Sequence, residues 1–102
     1  MAATLQVLYP ANDGSKFNFD YYSATHLPLV DEHFGKFLEG ASVSKGLAGK
    51  PDATPAYHAI ATLTFKDMET LQAAMAAAGP VVADIPNFTD SVAQMVVGEV
   101  IT

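Results

Sequence analysis

The chain has no cysteine, no tryptophan and no arginine. Without cysteine there is no disulfide framework and no thiolate metal site, and cysteine usage says nothing about redox compartment. Without arginine there is no planar, bidentate fork for phosphate. The positive residues number five, all lysine, against 11 acidic residues, giving a net charge of −6. That balance leaves no basic face for nucleic acid or for an anionic membrane surface. Long apolar runs are also missing, so no membrane-spanning helix is expected. The first residues, MAATLQVLYP, lack the charged start and apolar stretch of a secretory signal, and a cytoplasmic protein is the expectation. Neither GxGxxG nor a P-loop occurs, so no nucleotide cofactor is expected; cofactors are read as none.

What is present is apolar surface. Of 102 residues, 50% are apolar and 16% charged. The length fits one domain over residues 1–102, and a domain of that size cannot bury so much apolar surface alone. A homodimer is therefore expected. ATLQVLY (3–9) alternates and reads as a strand. PANDGSK (10–16) is turn-rich. A first helix is predicted from about Asn18 to Phe37. A weak strand follows at 41–47, a loop with two prolines at 48–56, and a strong strand at 57–65. Asp67 is a good N-cap for a second helix that stops at Gly79. A long connection, 79–90, leads to a last strand at 91–101. The order β-α-β-β-α-β is the ferredoxin-like arrangement, an α+β fold with both helices on one face of a four-stranded antiparallel sheet. The strands at 57–65 and 91–101 are apolar on both alternation faces, which asks for cover on both sides, a second copy being the simplest.

The stretch FDYYSATHLPLVDEHF (19–34) carries the chemistry. At about 100° per residue, Phe19, Tyr22, His26, Leu29, Val30, His33, Phe34 and Phe37 form one stripe that must face the sheet. Tyr22, His26 and His33 thus occupy positions where a hydrocarbon would be cheaper, because a buried polar group costs free energy unless it finds partners. Pro28 removes a helical hydrogen bond, predicting a kink or break near residues 24–27. The bland reading of a histidine on an apolar face is a core residue tied to a backbone carbonyl, and His33 is read that way. His26 and His33 are seven residues apart, yet no third ligand pattern accompanies them, so no metal is expected. His58 is assigned to the opposite sheet face and Tyr21 to the surface or an interface. In the second helix Met68, Leu71, Met75 and Ala78 are assigned to the buried side, with its alanines either plain helix formers or spacers that leave room for a ligand.

The motifs LYP (8–10), F-x-x-D-Y-Y-x-x-x-H-x-P-L-V (17–30), GLAG (46–49) and DIPNFTD (84–90) together resemble the EthD-like family, named for a protein associated with ethyl tert-butyl ether degradation. The resemblance spans essentially the whole chain, and the Tyr-Tyr-x-x-x-His-x-Pro-Leu block is its most specific part. It implies a dimeric α/β barrel with a pocket between sheet and helices in each protomer. Relatives on that fold include aromatic-polyketide cyclases, lactone isomerases and cofactor-free monooxygenases of quinone-like compounds. Members are often labelled reductases or oxidoreductases, and a fold shared this widely leaves the reaction open.

Histidine titrates near neutral pH and suits proton transfer. His26 is the candidate base, with Tyr22 one turn away on the same face as its catalytic companion. Tyr9, Phe19, Tyr57, Asp84, Asn87 and Phe88 are the candidate substrate-binding residues. Asp84 or Asn87 is placed to hold the imidazole tautomer. The expected partner is a small apolar oxygenated molecule, aromatic or quinone-like. One competing reading is a binding or accessory protein that returns its ligand unchanged. Another is purely structural, with His26 and Pro28 fixing a helix kink over a side-chain-filled interior.

Overall fold

A computed structural model describes residues 1–11, 14–47 and 54–102. The second half of the GLAG motif and most of the proline-bearing loop after it lie outside the described residues. Four strands, β1 (Ala3–Pro10), β2 (Leu38–Lys45), β3 (Tyr57–Phe65) and β4 (Gln94–Glu99), form one antiparallel sheet in the order β2-β3-β1-β4. This is the α+β ferredoxin-like arrangement expected from the element order.

Alternation places Ala3, Leu5, Val7 and Tyr9 of β1 on the buried face, opposite Phe65, Leu63, Ala61 and Ala59 of β3. Helices cover that face. The opposite face is more polar than the sequence pattern implied. Val96, Gln6, Thr62 and Ser42 stand side by side across it, and the Gln6 amide donates to the Thr62 hydroxyl at 3.3 Å. Leu8 and Ile60 supply its apolar part.

The first helix is continuous in space but changes winding. Asn18 caps α1 (Phe19–Tyr21), its side chain accepting from the Tyr21 N–H. A π turn follows over Tyr22–His26, then α2 (Leu27–Phe34) and a 3-10 turn (Gly35–Phe37). Proline has no N–H to donate, so the pairing must change in the turn before it. It does so without breaking the chain: the Leu27 N–H reaches back to the Tyr22 carbonyl, and Pro28 sits in the first turn of α2, where its missing donor costs least. The expected disruption at 24–27 is thus a local change of winding.

The strand limits differ from expectation at both sheet edges. β2 starts at Leu38, immediately after the 3-10 turn, and ends at Lys45. At Gly46 the backbone passes so close to the Tyr57 carbonyl that any Cβ would collide with it, which accounts for glycine there. β4 is shorter than the apolar run 91–101: it pairs with β1 only over Gln94–Glu99, from Leu8 to Ala3. The second helix is also shorter. Asp67 caps α3 (Met68–Ala76) by accepting from the Thr70 N–H and hydroxyl, but Gly79 is no stop. It opens α4 (Gly79–Asp84), with Pro80 in the first turn, and a 3-10 turn (Ile85–Asn87) follows. Met68, assigned to the buried side, is 37% exposed, while Leu71 and Ala78 are buried as expected.

Candidate active site

Between sheet and helices lies a cavity of about 370 Å³. Leu5, Val7 and Leu63 form its floor, Val30 and Phe34 its roof, and Val81 a side wall. The small side chains of Ala61 and Ala78 line it; of the alanines read as possible spacers in the second helix, Ala78 alone is among the lining residues. A side-chain-filled interior, the third reading of the sequence, is not what the structure shows.

Into this apolar space come Tyr9 from the end of β1 and Tyr22 and His26 from the π turn. Tyr22 and His26 stack with ring centroids 5.3 Å apart and planes 22° from parallel. Phe88 packs against His26 at 4.5 Å and against Tyr9 and Tyr22 edge-on. These rings fix the imidazole plane, and a carboxylate fixes its rotation. His26 Nδ1 lies 2.9 Å from Asp84 Oδ2, and the Asp84 side chain is only 11% exposed. The Tyr21 hydroxyl donates to Asp84 Oδ1 at 2.7 Å, and the Asn87 amide donates to the same oxygen at 3.0 Å. Burial alone would raise the Asp84 pKa, but hydrogen bonds from Asn87, Tyr21 and His26 outweigh it and hold the carboxyl below its ordinary value. Asp84 is therefore ionised at neutral pH and accepts from Nδ1–H. That assigns a proton to Nδ1, so that in a neutral imidazole the lone pair is on Nε2.

Nε2 has no hydrogen-bond partner among the described residues, and no polar side-chain atom there is both fully buried and unpartnered. His26 as a whole is 2% exposed, so the cavity is the space that Nε2 meets. Burial pushes the Tyr22 phenol up to about 12, and burial followed by the neighbouring Tyr22 raises Tyr9 further. Both phenols keep their protons at neutral pH.

The structure gathers His26, Tyr22 and Tyr9 on the cavity wall, with Asp84, Asn87 and Phe88 directly behind. Phe19 and Tyr57 lie off that wall: Phe19 packs on Phe17 at 4.5 Å under the Lys45 ammonium, and Tyr57 begins β3 beside Pro10. Tyr21, assigned to the surface or an interface, belongs to the Asp84 cluster. The helix wheel considered only the sheet as a neighbour, whereas α4 and its 3-10 turn flank the helix on the Tyr21 side. His33 is half-buried and makes no hydrogen bond among the described residues, so the carbonyl tie expected for it is absent. His58 Nε2 lies 2.8 Å from the Ser15 hydroxyl, away from the cavity. Among the described residues no group of three His, Asp or Glu side chains is placed to hold a metal ion.

Residues 15–92 match the model of the EthD domain. An EthD-like protein from Ralstonia eutropha JMP134 superposes with a TM-score of 0.89 at 32% identity, over 99% of this chain and 93% of that one. An ethyl tert-butyl ether degradation family protein from Bacillus halodurans C-125 has a TM-score of 0.76 at 23% identity, over 99% of this chain and 100% of that one. SnoaB from Streptomyces nogalater, a cofactor-independent oxygenase, shares the fold at a TM-score of 0.63 and 10% identity, over 99% of this chain and 93% of that one. A Thermobifida fusca relative of that fold, TM-score 0.57 at 12% identity over 98% and 92% of the two chains, is a dimeric ferredoxin-like protein. No curated protein is significantly similar.

Proposed function

The chain belongs to the EthD family, and from that premise we propose that it is a small-molecule enzyme in which His26 takes a proton from a small, apolar, oxygenated substrate held in the cavity. One observation carries this reading: a buried imidazole is fixed through Nδ1 by an ionised carboxylate, while Nε2 opens on an apolar cavity. A base with an oriented ring and an orienting partner is the arrangement that general-base catalysis needs. A core histidine needs neither the accessible nitrogen nor the space in front of it.

Proton abstraction turns the neutral imidazole into an imidazolium beside the Asp84 carboxylate, which stabilises the new charge in a site of low polarity. The same proton can return to another atom of the substrate, which gives isomerisation; where the carbanion pair instead attacks a second carbonyl carbon of the same molecule, the proton goes to that carbonyl's oxygen and cyclisation is the outcome. Phenols, quinones and lactones of modest size fit the volume and the lining. The protein acts as a homodimer, its second copy covering Leu8, Ile60 and Val96 on the outer sheet face. The dimeric relative on the same fold and the exposed apolar residues of β4 support that assembly.

A thermal-shift screen of such compounds followed by turnover assays tests the enzyme reading. His26→Ala is expected to lower any rate found by about 100-fold or more, the usual share of general acid–base catalysis, while the variant stays folded. Wild-type rates in that variant would refute the role of His26. A ligand that binds but returns unchanged would assign the protein to carriage instead of catalysis.

A further inference from the structure

Three polar atoms stand out in a molecule whose buried polar groups are otherwise satisfied. Tyr9 and Tyr22 are 2% and 3% exposed, and both line the cavity. The Tyr9 hydroxyl is turned toward the Tyr22 oxygen, close enough for each to act on the other's proton, and neither oxygen is among fully buried atoms left unpaired. Their oxygens therefore meet the cavity, as His26 Nε2 does. The rings neighbour one another in series, Tyr9 to Tyr22 at 6.0 Å and Tyr22 to His26 at 5.3 Å. Two hydroxyls and one imidazole acceptor thus converge on a mostly apolar space, in which Asp31 and Ser42 are the other polar lining residues.

Such convergence asks for a ligand with matching groups. The acceptor needs an acidic proton, and the two donors need one oxygen on which negative charge gathers. Resting on the proposal that His26 is a base, we infer that Tyr9 and Tyr22 form an oxyanion hole and that the substrate is an enolisable ketone. His26 Nε2 takes a proton from the carbon next to the carbonyl. The electron pair of that C–H bond forms the new C–C double bond, and the carbonyl π pair moves onto oxygen. The enolate oxygen receives hydrogen bonds from the tyrosines, and His26 returns the proton to carbon. Atoms and electrons balance with no added oxidant or cofactor. Because both phenols keep their protons far above neutral pH, they donate throughout the range in which an imidazole serves as base.

A phenolate reproduces the charge and shape of an enolate, so 4-nitrophenol, held ionised by the choice of pH, is the probe. Its affinity for the wild type, Tyr22→Phe, Tyr9→Phe and His26→Gln is read from its absorbance. Nitrobenzene, which lacks the oxygen, reports in parallel whether each cavity is intact. Loss of one hydrogen bond to a charged group is expected to weaken phenolate binding about 10- to 100-fold in each tyrosine variant, with nitrobenzene binding unchanged. His26→Gln is expected to keep phenolate affinity within about threefold of wild type, since the donors are intact. Equal phenolate affinity in the wild type and both tyrosine variants, or no phenolate binding by the wild type, overturns the oxyanion hole. The base is tested separately, by deuterium exchange from solvent into a cyclic ketone. Exchange abolished in His26→Gln with phenolate binding unaffected by the tyrosine changes would leave the base standing and remove the hole.

Discussion

Asp84 is the residue on which the site turns. It accepts from three side chains that arrive from two separate stretches of sequence, Tyr21 and His26 from the first helix and Asn87 from the turn after α4. Its folded pKa lies below the ordinary value of 3.8. A depressed carboxyl contributes stability that is present above the unfolded pKa and lost as pH falls through the folded one. Asp84→Asn is therefore expected to melt below wild type at neutral pH, and the gap should close as pH drops under the ordinary carboxyl range. Melting curves across that range check this, and a gap that stays constant would disprove the linkage. Asp84→Asn also replaces one of the two accepting oxygens by an NH2 donor and removes the charge that stabilises an imidazolium, so a fall in rate is expected. Tyr21→Phe leaves the carboxylate but deletes one donor. Its rate should fall less, with the acid limb of stability moving toward higher pH.

At the scale of the element, the π turn decides what the first helix presents. One additional residue is accommodated between Tyr22 and the start of α2, and the wider turn sets Tyr22 and His26 in a stack while α2 still directs Val30 and Phe34 to the cavity. Such a turn behaves as a one-residue insertion into an α-helix. Deleting Ala24, which is exposed, is expected to restore regular winding around the position before Pro28 and to swing Tyr22 off the cavity. Helical content by circular dichroism should be nearly unchanged, whereas binding of any cavity ligand should fall by at least about tenfold, the loss of one good hydrogen bond. Undiminished binding would show that the π turn does not place the site. Pro28 was legible in the sequence as a source of irregularity. The form of that irregularity was not, because a missing N–H says that the pairing must change and leaves open how neighbouring turns absorb the change.

For the whole molecule, the proposed homodimer rests on the outer sheet face. It mixes Gln6, Thr62 and Ser42 with Leu8, Ile60 and Val96, so a partner must satisfy polar groups as well as cover apolar ones. Sedimentation is expected to give twice the 10.8 kDa chain mass at micromolar concentration. Ile60→Glu together with Val96→Lys should yield a folded monomer, since both side chains lie on the face away from the core. A wild-type monomer would refute the dimer. No described helix is long and apolar enough to cross a membrane.

The sequence by itself determined the order of elements, the face that β1 buries, the stripe that carries Tyr22 and His26, and the EthD family. Those properties follow from periodicity and from motifs contiguous in the chain, which local physics writes at fixed spacing. Asp84 and Asn87 were legible as candidates only because DIPNFTD stands out as a motif. Their joining to Tyr21 was not, because the two stretches are more than 50 residues apart and the wheel of one helix is blind to the other side of its neighbourhood. Tertiary structure also decided that Phe19 and Tyr57 stay off the cavity wall, that β4 pairs with β1 only over Gln94–Glu99, and that Tyr9, Tyr22 and His26 share one mostly apolar cavity. Each of these depends on distances between elements, and the spacing of residues within one element carries no such information.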